Sequence, residues 1–329
     1  MKTMQSGLVS VIIPTYKRAE NLESAIRSVL NQTYQNIEII VVDDNNDGDE
    51  YRIATSKLMQ KFENNSKVKY IKHHVNQNGS AARNTGIHES RGEYIAFLDD
   101  DDLSLPERIS KSVEALEKAE INIGAVCVGY VKRYKDYVYK KGNGLGLYTD
   151  CYGVISREVD LCAGSTIMYR RCCVEKVGLY DVSYKRHQDW EYLIRLFRYY
   201  GVLVLEDVEV IIRVGIVGGR PNVDIVKEMK AKLFTDFNED LSKLSIQQVE
   251  LIQKNQWMHL FLACLKRKSY RKALILKKEY KDVFKIDCTD TIKIIQALAE
   301  GLFPKSLILI YKYLNSRRTD LAKYRYINY

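Results

Sequence analysis

Three apolar runs in the first hundred residues each stop abruptly at a polar cluster, and this pattern constrains the fold more than any other feature of the chain. "LVSVIIP" ends at Pro14-Thr15-Tyr16, "IEIIVV" at Asp43-Asp44, and "EYIAFL" at Asp99-Asp100-Asp101-Asp102. "IEIIVV" is continuous rather than alternating, as expected of a strand buried on both faces of a parallel sheet. Segments of helical period lie between the runs. "AENLESAIRSVLNQ" sets Leu22, Ala25, Ile26, Val29 and Leu30 on one face. "SAARNTGIHESRG" reads as a helix with Ser80 as N-cap and Gly92 past its end. "KVKYIKHH" supplies another strand, and "LPERISKSVEALEKA" places Pro106 at a helix start with Glu107 in the first turn. Strand and helix in alternation predict an α/β fold: a mostly parallel open sheet flanked by helices. Such sheets bind ligands beyond the carboxyl ends of their strands. The three polar clusters lie at three such ends, so they are candidates for one site.

The pattern changes from about residue 225, where amphipathic helical segments follow one another to "PKSLILIYKYLNSRR". The sequence therefore predicts an α/β domain over 1–222 and a basic helical C-terminal region over 223–329. "RVGIVGGRPN", 213–222, reads as a loop before that boundary. Residues 225–329 hold 21 Lys and Arg against 11 Asp and Glu, while the remainder is nearly neutral. A basic segment invites an anionic partner. An anionic membrane surface, a dimer interface and an ordinary solvated helical domain are all open for it. No apolar stretch approaches the ~20 residues of a membrane span, and "MKTMQSGLVS" lacks the apolar core of a signal peptide. Seven cysteines with no Cys-x-x-Cys pair read as reduced thiols. The expected location is cytoplasmic, with a peripheral place on the inner face of the membrane open to it.

The aspartate run is the sharpest candidate site. Acidic loops are common and usually just solvated. This one follows "YIAFL" without a spacer, at a strand end. Hard divalent cations take oxygen ligands, and carboxylates beside a phosphorylated substrate suit Mg²⁺ or Mn²⁺. "DDNNDGDEYRIA" imitates a calcium loop, but Ala54 stands where the closing Glu is needed and a strand precedes it. "GNGLGLY" lacks dinucleotide-binding spacing and reads as a flexible loop.

Together "VSVIIPTYKRAENLESAIRSVLNQTYQNIEIIVVDD", "GSAARNTGIHESRGEYIAFLDDDDLSLPERI" and "HQDWEYLIRL" resemble the family 2 glycosyltransferases, inverting enzymes of the GT-A fold. The resemblance covers roughly residues 8–215. It implies that Pro14, Thr15 and Tyr16 pack on the donor's base and ribose, that Asp44 accepts from the base, and that Asp43 is its partner. Arg83 matches a basic residue near the donor phosphates, and an Arg in the first turn of such a helix would in any case meet an anion. Asp99-x-Asp101 matches the metal-binding motif, with Asp102 nearby and Asp99 and Asp100 on the donor. Asp189 matches the catalytic base. Gln188 stands where the family usually has Glu. Ser165, Thr166, His187 and Gln188 are weaker acceptor-side candidates. Gly215 falls where many relatives carry a metal-approaching His, which leaves Arg213 or Arg220 to meet the phosphates.

The implied reaction is transfer of a sugar from a nucleotide-diphosphate sugar, UDP-linked by expectation, to a hydroxyl of a saccharide acceptor. Relatives of this size often build bacterial surface polysaccharide on a lipid pyrophosphate. Two other readings stand beside it. A nucleotidyltransferase on a similar sheet would need a triphosphate site, and no P-loop is visible. A nucleic-acid-binding module would use the basic tail, whose aromatics sit at helix core positions.

Overall fold

The computed structural model describes residues 3–135, 137–142, 146–214, 222–281, 286–302 and 327. The chain divides into two compact units: residues 1–150 with 161–219 and 318–329, and residues 151–160 with 220–317.

The first unit is built on one sheet. Its strands are β1 (Gln5–Thr15), β2 (Ile37–Asp43), β3 (Val68–Lys72), β4 (Gly92–Phe97), β5 (Leu103–Ser104), β6 (Ile123–Tyr134), β7 (Tyr137–Lys141), β8 (Gly146–Tyr148), β9 (Ile167–Arg170) and β10 (Gly201–Arg213). Their order is β3-β2-β1-β4-β9-β6-β10-β5, with β7 beside β6 and β8 beside β10. The β3-β2-β1-β4 half is wholly parallel. β9 runs antiparallel to both β4 and β6, and β5 antiparallel to β10.

The helices in chain order are α1 (Ala19–Leu30), α2 (Glu50–Met59), α3 (Gly79–Glu89), α4 (Arg108–Lys118), α5 (Tyr152–Ile155), α6 (Ala163–Thr166), α7 (Arg171–Val177), α8 (Gln188–Phe197), α9 (Val223–Asp236), α10 (Asn238–Leu241), α11 (Ile246–Lys266), α12 (Tyr270–Glu279) and α13 (Cys288–Leu302). Of these, α5 and α9 to α13 belong to the second unit.

β1 explains why the apolar runs are continuous. Val9, Val11 and Ile13 join the core that holds Leu22, Ala25, Ile26 and Val29 of α1. Ile12, on the opposite face, lies under α3, where a Cβ on Gly86 would come within 2.3 Å of its Cγ2. Both faces are covered, so they are almost wholly apolar, and the buried Ser10 hydroxyl is satisfied by Glu38 at 2.6 Å. Each such aliphatic contributes about 1.5–3 kcal/mol by burial.

Several expected boundaries shift. The N-cap of α3 is Asn78, not Ser80: its side chain accepts from the Ser80 and Ala81 N–H groups. Gly92 opens β4 instead of trailing the helix. α4 starts at Arg108, with Glu107 as its N-cap residue, so Pro106 lies in the preceding turn. In α8 the fully buried positions include Tyr192 and Leu196, while Trp190 and Phe197 are only partly covered. Part of "GNGLGLY", Gly146–Tyr148, pairs with β10 as strand β8. None of the seven cysteines is in a disulfide.

The second unit is helical. Trp257, Leu260, Phe261 and Cys264 of α11 form its core with Val223, Ala273, Leu276 and Ala297. A capping box between Ser245 and Gln248 fixes the start of α11. Among the described residues no helix is long and apolar enough to cross a membrane. The segment "PKSLILIYKYLNSRR" lies outside the described residues.

Candidate active site

Strand order reverses at β1, with β2 on one side and β4 on the other. Such a switch point leaves a crevice beyond the strands' carboxyl ends. The loops after β1, β2 and β4 all open there, and they carry the three polar clusters.

The aspartate run closes on itself as a turn, with the Asp102 N–H donating to the Asp99 carbonyl at 3.0 Å. Asp99, Asp101 and Asp102 each bring a ligand oxygen within 4.8 Å of the others. Among the described residues this is the one group of at least three His, Cys, Asp or Glu that does so. Asp100 is held by the β1 loop instead. It accepts from Thr15 Oγ1 at 2.7 Å, from the Tyr16 N–H at 3.4 Å and from Arg18 Nη1 at 3.1 Å. Arg18 also reaches Asp101 Oδ2 at 2.8 Å.

Burial and crowding act on these carboxyls together. Loss of water pushes Asp100 up to about 7 despite Arg18. Burial raises Asp101, and the nearby Asp99 adds to the shift. Asp102 is driven well above its usual range by burial, then by Asp101 and Asp99. Asp99, Asp101 and Asp102, three hard oxygen donors crowded within 4.8 Å, fit a divalent cation.

Ser165 and Thr166 are both buried, and their hydroxyls serve the protein. Ser165 Oγ donates to Asp102 Oδ2 at 2.5 Å and accepts from the Asp99 N–H at 3.0 Å. It therefore braces the aspartate turn. Thr166 Oγ1 donates to the Leu161 carbonyl at 2.6 Å. Gly164 leaves room for Asp99, because a Cβ there would lie 2.9 Å from Oδ2.

After β2, Asp43 is fully buried and both its oxygens are engaged. Oδ1 accepts from the backbone and side chain of Asn45, and Oδ2 accepts from the Tyr70 hydroxyl at 2.6 Å and pairs with Arg52 Nε at 3.1 Å. Asp44 Oδ1 meets His73 Nδ1 at 2.7 Å and the Gln77 N–H at 2.8 Å, and Oδ2 accepts from Asn76 Nδ2 at 2.8 Å. Burial still raises Asp44 against these donors. Pro14 is half-buried, and Tyr16 is exposed with Lys17 over its ring at 5.1 Å.

Arg83 joins the two sides of the crevice. Nη2 donates to Asp99 Oδ1 at 2.8 Å and Nη1 to Gln188 Oε1 at 3.2 Å, with the Tyr180 ring 5.9 Å away. Gln188 is anchored in turn by its Nε2 donating to the Tyr184 carbonyl at 2.9 Å. His187 adopts a left-handed backbone conformation at the N-cap of α8 and stacks on Trp190 at 4.3 Å. Asp189 follows in the first turn of α8. Burial raises it, while Arg186 and Arg83 pull it back. No side chain hydrogen-bonds to Asp189 among the described residues. Glu191 is different: it is buried and paired with Arg195, whose Nη2 donates to Oε2 at 2.9 Å.

Arg213 meets the aspartate turn through its backbone N–H, which donates to Asp102 Oδ1 at 3.0 Å, and through Nε, which donates to the Asp101 carbonyl at 2.5 Å. Gly215 and Arg220 lie outside the described residues. Sequence reasoning gave no role to Arg18, His73 or Tyr180. Arg18 had one available signal, a cation three residues beyond Thr15 in the same strand-end loop.

The glycosyl transferase family 2 model matches residues 10–178, just over half of the chain. The chain belongs to this family. An uncharacterized glycosyltransferase of Rickettsia typhi is 28% identical over 95% of the chain and 98% of its own length. Another, from Rickettsia prowazekii, is 30% identical over 60% of the chain and 61% of its own length. Glycosyltransferase GlyG of Streptococcus pneumoniae is 27% identical over 57% of the chain, which spans about half of GlyG, 52%. Among solved structures, S. aureus TarS 1–349, known also in complexes with UDP and with UDP-GlcNAc, superposes with a TM-score of 0.51 at 16% identity over 88% of this chain and 90% of TarS 1–349. The Pyrobaculum calidifontis mannosyltransferase PcManGT, in complex with GDP-Man and Mn²⁺, gives 0.53 at 18% identity over 94% and 85% of the two chains. The mixed sheet flanked by helices in this family 2 glycosyltransferase is the GT-A fold.

Proposed function

We propose that this glycosyltransferase is an inverting, metal-dependent enzyme that moves a hexosyl or N-acetylhexosaminyl group from a UDP-sugar to a hydroxyl of a saccharide acceptor. The observation that carries this reading is the convergence on Arg83 of the Asp99 side of the aspartate turn and the Gln188-Asp189 side of α8. TarS with UDP and UDP-GlcNAc, and PcManGT with Mn²⁺, support the choice of donor and cation class.

Asp99 and Asp101, with Asp102, would hold Mn²⁺ or Mg²⁺, which neutralises a bound diphosphate and makes it a better leaving group. Pro14, Thr15 and Tyr16 offer an apolar and aromatic surface for the base and ribose. Asp44 would accept from the uracil ring, and Asp43, its partner, supports the loop that holds it. Arg83 leads toward the leaving diphosphate as charge builds on it. Asp189, with no side chain to satisfy it, takes the proton of the attacking acceptor hydroxyl. One displacement at the anomeric carbon inverts it, so an α-linked donor gives a β-linkage. His187 and Gln188 border the acceptor side, and Ser165 and Thr166 support it from beneath.

We assign catalysis to residues 1–222 and a separate role to the basic helical residues 223–329. That role is contact with an anionic membrane surface, in the cytoplasm, where a lipid-linked saccharide acceptor for surface polysaccharide would lie.

Asp189→Asn tests the chemistry. It keeps the side chain's shape and removes its basicity. Nucleoside diphosphate binding in the presence of Mn²⁺, measured by calorimetry, should be near wild type. Transfer should fall by ~100-fold or more. Near-normal transfer would remove Asp189 as the base. Glu191 would not inherit the role without first breaking its pair with Arg195.

A further inference from the structure

We propose that the outward face of α12 is the strip that docks on an anionic lipid surface. The inference rests on the membrane-side reading above and assigns it to named residues. Residues 266–281, "KRKSYRKALILKKEYK", hold eight Lys and Arg and a single Glu. Clusters of this density on an amphipathic helix suit anionic headgroups.

The structure separates the cations that are committed from those that are not. Ala273 and Leu276 face inward and are buried. Lys272 and Glu279 pair with Asp224 and Lys227 of α9, each at 2.6 Å. Lys266 pairs with Glu300 at 3.0 Å. Arg271, Lys277 and Lys278 make no ion pair among the described residues.

Arg271, Leu274, Ile275 and Lys278 share one face of the helix by their spacing. Leu274 is 68% exposed and Ile275 49%. The face therefore reads cation, aliphatic, aliphatic, cation. Residues 270–302 carry seven of the seventeen large apolar side chains that stand exposed among the described residues. Exposed aliphatics and unpaired cations thus coincide on one short helix, which suits the boundary between headgroups and acyl chains.

The same chemistry argues against other occupants. A second copy docked face to face would set Arg271 and Lys278 against their own kind. A nucleic acid would use the cations and leave Leu274 and Ile275 facing polar backbone.

The test is sedimentation of the full chain with vesicles of phosphatidylcholine alone or mixed with phosphatidylglycerol. Wild type should sediment with the mixed vesicles only. Arg271→Ser with Lys278→Ser should weaken that binding about thirtyfold, from roughly a fivefold loss of affinity for each cation near the surface. Leu274→Asp with Ile275→Asp should weaken it at least as much. Lys57→Ser with Lys118→Ser removes the same charge elsewhere and should have far less effect. Thermal melts and nucleoside diphosphate affinity of the α12 variants should match wild type. If wild type binds neither vesicle, the strip and the membrane-side reading both fall. If wild type binds mixed vesicles but the α12 and control variants lose binding equally, the strip falls and the broader reading stands. Variants that change oligomeric mass, with vesicle binding intact, would also overturn the strip.

Discussion

Two acidic loops flank the β1 loop at the ends of parallel strands, and the chain treats them in different ways. After β2, the carboxylates are satisfied from within. Asp43 is shared by Asn45, Tyr70 and Arg52. Asp44 is shared by His73, Asn76 and Gln77. His74 holds Asp47 below its usual range, and Asp49 caps α2. After β4, Asp99, Asp101 and Asp102 crowd one another, with arginines at the edges and raised pKa values at Asp101 and Asp102. Residue type and position in the fold are alike, so neither decides which loop suits a cation. Both loops receive donors from the protein; the decisive difference is that the β4 carboxylates also crowd one another, with ligand oxygens of three of them within 4.8 Å.

Deleting Asp43 should give the largest effect, and on stability. Asp43→Ala leaves the buried Arg52 without its Nε partner at 3.1 Å. Loss of one member of a buried pair costs about 3–5 kcal/mol. Chemical denaturation would measure it, and a loss under ~1 kcal/mol would show that the β2 loop is not self-satisfied as described.

Asp101→Ala should do the reverse. It relieves a crowded cluster, so the metal-free fold should hold or gain stability. Affinity for nucleoside diphosphate with Mn²⁺ should fall by ~100-fold, in the range for disrupting a metal site. Calorimetry with and without chelator separates the two effects. Unchanged metal-supported binding would mean that the β4 loop holds no cation.

The two loops should also differ in their response to pH. Burial holds Asp100 at about 7, against an ordinary 3.8, and also raises Asp101 and Asp102. Between those pH values the folded chain keeps protons that the unfolded chain has lost. Stability from these groups is therefore greatest at the acid end and falls as pH rises toward 7. The metal-free protein should lose ~4 kcal/mol, several degrees in Tm, across that window. Asp100→Asn should flatten the slope. Saturating Mn²⁺ should offset it, because a bound cation favours ionised carboxylates. A melt series with the opposite slope would contradict the account of a crowded, buried cluster.

Asp47→Ala should give the smallest effect. Asp47 is exposed, its partner His74 is almost fully in solvent, and its pair with Arg52 Nη1 is long at 3.4 Å. A solvent-exposed pair contributes little, so neither stability nor metal-supported binding should move appreciably. A large loss of activity would bring the β2 loop into the cation site after all.

Much of the fold was legible before any coordinates. β1, β2 and β4 are continuous apolar runs because α1 and α3 cover both faces of β1, a demand that the sequence displays directly. The aspartate turn was legible for the same reason: four carboxylates directly after a buried strand can only lie at its end. Boundaries were less legible. Asn78, with a positive φ of 79°, starts α3 two residues before Ser80, and Ser80 is as good a cap by composition.

Sequence by itself determined the residue types at each strand end and the α/β alternation that sets those ends on one side of a sheet. Tertiary structure alone decided which of the carboxylates are occupied. Arg18 meets Asp100 across 82 positions of chain, and Arg83 meets Gln188 across 105. Antiparallel β9, inserted between β4 and β6, belongs to the same class of fact. Periodicity reports what each segment buries, because burial repeats with the pitch of a helix or strand. It carries no record of which distant donor will reach a given carboxylate. That depends on how the packed elements converge in space.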